Sequence, residues 1–360
     1  MEQMLHECRW LYNYLLEQRK VAWDDRQENI SMYDQHMQLP QIKKDRSSLT
    51  VVHSQVLQNV SVRIDLAFKA FFRRVKSGDT PGYPRFRGSD RYDSFCYPQY
   101  GSGIKLAGDK LYLSKAGIIP VVLHRPIEGI PKTCTVRRSS TGKWFITLTC
   151  EVEQETLPES TEQVGIDVGL HAFAALSTGD VVDNPRFFRK EERALARAQR
   201  RMAKEVKETP EHAKARKVVA RTHERIANRR NNFSHQSSRR IVNRFGFIAV
   251  EDIHVNRMVH NHCLAKSISD AAWSGFLQNL TYKAEWAGRQ VVAINPAYTS
   301  QNCSKCGHRQ PMPLGERVYR CPCCGLDIDR DLNASLNILS LGLQRVGIQS
   351  VEALGFSRRE

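Results

Sequence analysis

Apolar residues recur every three or four positions through the first 75 residues, which is the spacing of amphipathic helices. The pattern is clear over residues 4–16 and again over residues 49–72. Residues 76–88 are rich in Gly and Pro and predict a loop. The chain is therefore expected to begin with a helical region that ends in this loop.

Shorter segments with β-strand character follow, separated by turn residues. They are expected at 110–113, 118–123, 134–138 and 144–152. This series of short strands predicts a small β-barrel. A Thr-, Glu- and Pro-rich link at 153–163 marks a domain boundary.

Beyond the link, short apolar strands are separated by longer helical patterns. Buried strands are expected at 164–168, 247–251 and 291–294. Helices are expected at 186–208, 211–232, 267–288 and from about residue 329 onward. The first two of these helices are separated at Thr209-Pro210 and predict a helical hairpin.

Charge is concentrated on this hairpin. The chain carries 54 Lys and Arg against 38 Asp and Glu, a formal net charge of +16. Residues 186–240 hold 18 Lys and Arg against 6 Glu, a net of +12. A solvated helix face is the plain alternative, and a membrane-surface helix would need the Trp that this stretch lacks. The large excess of positive charge in this stretch favours binding of a polyanion such as nucleic acid.

No targeting or membrane segment is expected. The longest apolar stretch, residues 117–123, is far shorter than the roughly 18 residues of a transmembrane helix. The first residues carry charges where a signal peptide has an apolar run. These features predict a cytoplasmic protein without a membrane partner.

Half of the ten cysteines lie between residues 303 and 324. They form two C-x-x-C pairs with fourteen residues between the inner cysteines, the pattern of a zinc ribbon. Cys323 is out of register and is expected to be spare, and His308 is expected to be a bystander. The other cysteines are expected to be buried apolar residues. One structural Zn²⁺ is predicted on the four remaining thiolates, Cys303, Cys306, Cys321 and Cys324.

Asp167 stands inside an apolar strand. Because side chains alternate along a strand, it shares one face with Gly165 and Gly169. The two glycines leave room on that face for something bulky. A buried carboxylate needs a partner, which is either a metal ion or, as the alternative, a cation of the basic hairpin.

Two further acidic positions resemble Asp167 in context. Glu251 ends the strand at 247–251, and Asp252 after it is expected to cap the next turn. Asp329 and Asp331 begin the last helix; Asp329 is expected to be the N-cap and Asp331 the chemically active residue. Three such carboxylates together would suit two Mg²⁺ ions that hydrolyse a phosphodiester.

Several motifs resemble those of the TnpB family of transposon-encoded proteins, which are similar to ancestors of type V CRISPR effectors. The resemblance covers nearly the whole chain. The motifs are Val164–Gly169, Ile248–Ile253, Tyr298–Gly307 and Asp329–Ile338, with further likeness at Pro81–Arg87 and Asp270–Phe276.

The resemblance implies a multidomain α+β fold built around a RuvC-like nuclease core of the RNase H type. Family members begin with a short basic strand of the wedge barrel; it is not found here, so the expected wedge lacks its first strand. The implied parts are a helical recognition region at 1–92, a β-barrel wedge domain at 93–160, the nuclease at 161–301 and 327–345 with the basic hairpin at 186–232, the zinc ribbon at 302–326 and a tail at 346–360.

The resemblance also implies an activity. Family members use a guide RNA from the transposon end and cut double-stranded DNA beside a short motif. This chain is accordingly expected in the cytoplasm of a prokaryote, associated with the nucleoid. Asp167, Glu251 and Asp331 would be the catalytic Mg²⁺ ligands, Asp331 because the family places its acid directly before x-Asn-Ala. The nucleic-acid contacts expected in the loop and the hairpin are Arg85, Arg87, Arg91, Arg197, Arg200, Arg201, Lys204, Arg229 and Arg230.

Other functions stay open at this point. A non-cutting nucleic-acid-binding regulator or transposition accessory would not need all three acids. A transposase that joins DNA strands would share the RNase H fold. The sequence His260-Asn-His262 is not expected to be an HNH nuclease, because its histidines are adjacent, and a mobile loop is expected there.

Overall fold

The computed structural model describes residues 1–313 and 315–347. The chain divides into two compact units, Met1–Glu153 and Gln154–Glu360, and both contain helices and sheets. The multidomain α+β class is therefore confirmed. The predicted tail lies outside the described residues from position 348 onward. In the described part of the chain, no helix has the length and apolar character needed to cross a membrane.

The first unit begins with helices, as the apolar spacing predicted. They are α1 (Glu2–Arg26), α2 (Met32–Asp45) and α3 (Ser54–Ser77), with a short 3₁₀ turn at Ser47–Val51. Ser31 starts α2 with a capping box, in which its hydroxyl accepts from the Asp34 N–H and Asp34 accepts from the Ser31 N–H. Helix α3 ends at Gly78, whose φ of 75° suits glycine. The apolar stripes of all three helices are buried in one core.

The strands of the first unit form two open sheets, not the single closed barrel that was expected. Strand β4 ends at Pro120, which has no N–H to continue the pairing. The sequence pattern missed β1 and β2, although β3 and β4, which are equally short, were predicted. Both sheets are antiparallel, with strand orders β1-β5-β6 and β2-β3-β4. The strands are β1 (Ser94–Tyr97), β2 (Ile104–Ala107), β3 (Lys110–Leu113), β4 (Gly117–Pro120), β5 (Ile130–Arg138) and β6 (Trp144–Glu151).

The second unit contains a five-stranded sheet of order β11-β10-β7-β8-β9. Strand β10 is parallel to both of its neighbours, β11 and β7. Strand β8 is antiparallel to both of its neighbours, β7 and β9. The strands are β7 (Gln163–Val168), β8 (Ala172–Leu176), β9 (Val181–Asp183), β10 (Phe247–Glu251) and β11 (Gln290–Ile294). A separate ribbon pairs β12 (Val318–Arg320) with β13 (Asp327–Asp329).

The helices of the second unit confirm the predicted hairpin but change its length. The second helix of the hairpin, expected to end at residue 232, continues to Arg244. Its last turns bury Ser234, Ser237 and Ser238, which are small polar residues and do not form the apolar pattern that predicts a helix. The helix expected at 267–288 is broken at Ala272, whose φ is 55°. The helices are α4 (Phe187–Lys204), α5 (Pro210–Arg244), α6 (Val255–Met258), α7 (Ala265–Ala271), α8 (Trp273–Trp286) and α9 (Arg330–Arg345).

Helices cover both faces of the sheet. On one face, Val164 and Ile166 of β7 and Ile248 of β10 pack in a core with α5 and α8. On the other face, Phe247 and Ala249 pack with α9. The alternation predicted for β7 and β10 is therefore confirmed, and Asp167 and Glu251 belong to the face that α9 covers.

Candidate active site and metal centre

Asp167 and Glu251 lie at the carboxyl ends of two neighbouring parallel strands. Ile166 of β7 is in register with Val250 of β10, so the two acids come one residue later on adjacent strands. Because the strands are parallel and in register, both carboxylates lie at the same edge of the sheet.

Gly165 explains how helix α9 reaches this edge. A Cβ on Gly165 would overlap the carbonyl oxygen of Ser335 and lie 2.6 Å from the backbone nitrogen of Leu339. The bulky group for which the glycine leaves room is thus the backbone of α9. Close contact between helix and strand brings the first turn of α9, which carries Asp331, beside the ends of β7 and β10.

Asp329 is the N-cap of α9, as predicted. Its side chain accepts from the backbone N–H of Asp331 at 2.9 Å and of Leu332 at 3.0 Å. The capping role leaves the Asp331 carboxylate available, with an Arg317 nitrogen 3.9 Å away. The cap expected of Asp252 is wrong, because α6 begins after His254 without a side-chain cap.

The electrostatics of Asp167 reflect this crowding. Burial first, and then the charges of Glu251 and Asp331, raise its pKa well above the usual carboxyl range, while Arg330 opposes the shift. Burial also raises the pKa of Glu251, against a hydrogen bond from Thr299. Among the described residues, no cation of the hairpin forms an ion pair with Asp167, so the ion-pair alternative is not supported. A buried carboxylate whose charge is disfavoured by burial and by two neighbouring acids fits a site for a hard divalent cation.

The cysteines predicted as zinc ligands form a more compact group. Their sulfur atoms all lie within 4.8 Å of one another, and no other set of three or more His, Cys, Asp or Glu in the described chain is as close. Cys303 and Cys324 are 3.6 Å apart, and Cys306 and Cys321 are 3.5 Å apart. Sulfurs bound to zinc at ~2.3 Å would be separated by about 3.8 Å. The four thiols therefore fit a tetrahedral Zn²⁺.

Local turns build this group. Gly307 and Gly325 have φ of 75° and 70° and donate to the carbonyls of Cys303 and Cys321, the first cysteine of each pair. Each turn therefore brings its two thiols together, as ligation of one metal ion requires.

The remaining cysteines and histidines lie outside this group. Cys323 is exposed, and neither it nor His308 belongs to the compact set. The expectation of burial holds for Cys8 and Cys134 and is wrong for Cys263, which is exposed. His260 and His262 are likewise exposed, in the turn between α6 and α7.

The basic residues of the hairpin fall into two groups. Within the described residues, Arg197, Arg201 and Lys204 on α4 are exposed and form no ion pair, and exposed Arg200 contacts only a backbone carbonyl. The two predicted contacts on α5 form ion pairs, half-exposed Arg229 with Glu191 and the more buried Arg230 with Asp270.

Arg230 forms a largely buried ion pair with Asp270, and its contact with nucleic acid stays a prediction. Asp270, whose side chain is only 5% exposed, accepts from Arg230 at 3.0 Å and from the backbone N–H of Phe188 at 3.0 Å. Breaking a pair of this kind leaves a buried charge alone. Arg230 therefore holds the base of the hairpin, which also gives Asp270 of the motif Asp270–Phe276 a structural role.

The predicted loop arginines are all exposed. Arg85 and Arg91 point their charge to solvent, and Arg87 is anchored by its backbone, which exchanges hydrogen bonds of 2.8 and 3.0 Å with the side chain of Asn13. Lys20 lies 4.9 Å above the ring of Phe86. The loop is thus tied to helix α1 while its arginine side chains remain accessible.

Three polar residues of the site were not predicted, two of them buried (Thr299 and Asn333) and one half-buried (Asn337). Thr299 donates to Glu251, and Asn333 and Asn337 of α9 bind the backbone of residues 299–304. Their positions in the sequence could have indicated them, because they lie inside motifs that resemble the family: Thr299 in Tyr298–Gly307, and both asparagines in Asp329–Ile338.

Comparison with known protein families agrees with the motifs. The family OrfB_IS605, described as "Probable transposase", matches residues 147–262. A second family, described as "Cas12f1-like, TNB domain", matches residues 273–338.

Individual relatives extend over most of the chain. A protein of Streptomyces pristinaespiralis named "Putative RNA-guided DNA endonuclease" is 36% identical over 343 residues, covering 93% of this chain and 83% of that protein. "Putative RNA-guided DNA endonuclease InsQ" of Escherichia coli K12 is 33% identical and covers 80% of this chain and 74% of that protein. A solved structure titled "Cryo-EM structure of CRISPR-Cas12f Ternary Complex" is 16% identical, covers 94% of this chain and 80% of that chain, and gives a TM-score of 0.40.

Proposed function

The chain belongs to the TnpB family of RNA-guided DNA endonucleases, and we propose that it cuts DNA by phosphodiester hydrolysis at the carboxylate cluster of Asp167, Glu251 and Asp331. One observation carries the assignment of the site. Two acids end adjacent parallel strands on one sheet face, and the third starts the helix that packs on that face. Burial first, and then the charges of the two converging acids, raise the pKa of Asp167.

Two Mg²⁺ ions are the proposed cofactor of this cluster. The three carboxylates offer the hard oxygen ligands that Mg²⁺ prefers. When bound, such a pair of ions activates the attacking water and stabilises the leaving oxygen. The protein holds two of the ligands on rigid strands and the third in the first turn of a helix, so their positions are set before the cation arrives.

The ribbon between Cys303 and Cys324 is proposed to hold one structural Zn²⁺. Four protein thiols leave no position for a substrate, so this metal would stabilise the fold only. The ribbon core consists of little more than Cys303, Met312, Tyr319 and Cys321. A core this small depends on a metal for its stability.

The remaining parts receive roles from family membership. Residues 161–301 and 327–345 would form a RuvC-like core, which the sheet order β9-β8-β7-β10-β11 supports, with the zinc ribbon at 302–326 inserted. Residues 1–92 would be the recognition region. The two small sheets in 93–160 would be the wedge domain.

The proposed partners are a guide RNA from the transposon end and a double-stranded DNA target cut next to a short motif. The exposed cations of α4 would contact their phosphates, while base pairing supplies the specificity. A non-cutting regulator is not favoured, because all three acids are present and converge.

Cleavage by a purified complex tests this function. The protein is purified with co-expressed RNA and given duplex DNA that matches the guide, with Mg²⁺. Asp167→Ala should slow cleavage by about 1000-fold or more, since several kcal/mol of transition-state stabilisation are lost. The matched control is Asp252→Ala, which removes an exposed acid beside Glu251 and should leave the rate unchanged.

Each alternative has its own outcome in that assay. Equal cleavage by the wild type and Asp167→Ala would refute the site. Guided binding without any cutting by the wild type would indicate a regulator. A covalently joined DNA product would indicate a strand-transferring transposase.

The salt dependence of nucleic-acid binding tests the hairpin. Neutralising Arg200, Arg201 and Lys204 together should reduce the slope of log affinity against log salt by about 2 to 3, because up to three phosphate contacts are lost. The double variant Arg225→Ala/Arg229→Ala is the comparison on α5: both guanidinium groups bind Glu191 and are about half exposed, so its slope shows whether ion-paired arginines also contact phosphates. An unchanged slope in the triple variant would make α4 a solvated face.

A further inference from the structure

A short crossover segment, residues 295–304, leads from β11 to the first cysteine pair of the ribbon and runs beside Glu251. Its Thr299 is only 4% exposed, although its side chain carries a hydroxyl group. Buried hydroxyl groups are normally hydrogen-bonded. The Thr299 hydroxyl donates to Oε1 of Glu251 at 2.6 Å.

The same hydroxyl has a second acceptor within reach, the carbonyl oxygen of Pro296 at 3.1 Å. A hydroxyl has one proton to donate. A carboxylate forms the shorter and stronger hydrogen bond. The 2.6 Å distance shows that Glu251 is the principal partner, and the contact with Pro296 is the weaker local one.

Helix α9 holds the crossover segment in place. The Asn337 amide donates to the carbonyls of Thr299 and Asn302, at 2.8 Å each. Asn333, fully buried one turn earlier, donates to Asn302 at 2.8 Å and accepts from the Ser304 N–H at 2.9 Å. Helix α9, whose first turn carries Asp331, therefore also holds Thr299, the residue that forms a hydrogen bond with Glu251.

The backbone before Thr299 is held in an unusual conformation. Tyr298 has a φ of 68°, a region that residues other than glycine rarely occupy. Its carbonyl accepts from the N–H groups of Gln301 and Asn302 at 3.0 Å each, and the Arg309 guanidinium lies 3.7 Å from its ring centroid. Such conformations persist where the surrounding structure imposes them, and they concentrate at functional sites.

We propose that Thr299 is a positioning residue for the nuclease reaction: its hydroxyl holds Oε1 of Glu251, so that Oε2 is directed to the metal ion. Among the described residues, Oε2 accepts no hydrogen bond. Groups that orient a metal ligand in this way typically change metal affinity or activity by 10- to 100-fold when they are removed. The inference rests on the proposed function, because it assumes that Glu251 binds a divalent cation.

Two substitutions separate the hydroxyl from the shape of the side chain. Thr299→Val keeps the shape and removes the hydroxyl, whereas Thr299→Ser keeps the hydroxyl. Cleavage by Thr299→Val is expected to need about 10-fold more Mg²⁺ for half-maximal rate, with guided DNA binding and zinc content unchanged. Thr299→Ser should restore the wild-type requirement.

A second readout does not depend on cleavage. Binding of Mn²⁺ to the RNA-bound protein without DNA, followed by electron paramagnetic resonance, should be weakened by Thr299→Val and not by Thr299→Ser. If the wild type binds Mn²⁺ but does not cut DNA, the proposed function fails, while the comparison of the two variants still tests the role of Thr299.

Three results would overturn the proposal. These are wild-type Mn²⁺ affinity in Thr299→Val, an equal defect in Thr299→Ser, and a cleavage defect in Thr299→Val that is the same at every Mg²⁺ concentration. If Thr299→Val loses zinc or unfolds, Thr299→Ala replaces it as the hydroxyl-free variant and is judged by the same criteria.

Discussion

The cysteine cluster of the ribbon and the carboxylate cluster at the sheet edge differ in how they are assembled. Four thiols from two tight turns lie within 4.8 Å of one another, all between residues 303 and 324. The three carboxylates come from β7, β10 and α9, at residues 167, 251 and 331, and do not form so compact a group. One cluster is a local structure, and the other exists only once the sheet and α9 have packed.

The clusters also differ in charge. A thiol can remain neutral until a metal binds, so four can be held close at little electrostatic cost. Carboxylates are ordinarily ionised at neutral pH, and burial together with the charges of Glu251 and Asp331 raises the pKa of Asp167. The difference indicates that zinc would complete the fold of the ribbon itself. Mg²⁺ would instead neutralise the electrostatic repulsion between carboxylates that the packing of the second unit holds together.

The largest expected effect is the loss of the zinc site. Cys303→Ser should lower the zinc content from one ion per chain to near zero, measured by mass spectrometry of the purified protein. Zinc binding of this type is worth about 10–16 kcal/mol and needs every thiolate. Cys323→Ser is the matched control, because Cys323 is exposed and lies outside the group. Zinc loss in the control alone would contradict the ligand assignment.

The contact between α9 and β7 is the next test, because it should affect the carboxylate cluster and spare the ribbon. Gly165→Ala places a methyl group against the backbone of α9. Overpacking of this kind costs about 1–3 kcal/mol. Urea unfolding should therefore show lower stability, and cleavage should fall as Asp331 is displaced, while the zinc content stays at one.

A glycine in open space provides the control for that variant. Gly275 lies in α8 with no atom within 4 Å of an added Cβ. Gly275→Ala should leave stability unchanged or raise it by up to about 1 kcal/mol, because alanine favours helices. If both variants behaved alike, the close approach at Gly165 would not be what assembles the site.

The smallest expected effect is a pH dependence that belongs to the carboxylate cluster alone. The folded-state pKa of Asp167 lies above its unfolded value, so the folded state binds the proton more tightly. Without Mg²⁺, the contribution of Asp167 to stability should therefore fall as pH rises from about 4 through its folded-state pKa. Asp167→Asn cannot ionise and should be more stable than the wild type at neutral pH, with the difference shrinking in acid.

Thermal unfolding between pH 4 and 8 in Mg²⁺-free buffer measures this difference. Added Mg²⁺ should raise the wild-type unfolding temperature and have less effect on Asp167→Asn. Asp252→Asn, a change at an exposed acid, should follow the wild type. A stability difference between Asp167→Asn and the wild type that did not grow as pH rises over this range would contradict the electrostatic account.

Much of the fold followed from local patterns. The strand at Phe247–Glu251, the hairpin break at Thr209-Pro210 and the cap at Asp329 were predicted, because each depends on neighbouring residues. Strand β1 was missed, although the equally short β3 was predicted. Helix α5 was predicted too short because small serines form part of its buried face.

The candidate sites follow the same rule. The zinc ligands were predicted from spacing alone, and the structure brings those four thiols together. The partners of Arg230 and Glu251 were not predicted, because Asp270 and Thr299 lie 40 and 48 residues away along the chain. Spacing carries no information about contacts that arise only when distant elements pack.

The sequence by itself determined the types of ligand, the turns around the cysteines, the alternation of strand faces and the family to which the chain belongs. Only the tertiary structure decided that Gly165 admits the backbone of α9, that Arg230 is held by Asp270, and that Thr299 reaches Glu251. The physical reason is range: turns, caps and strand faces are set within a few residues, whereas a carboxylate cluster needs long-range packing to hold like charges together.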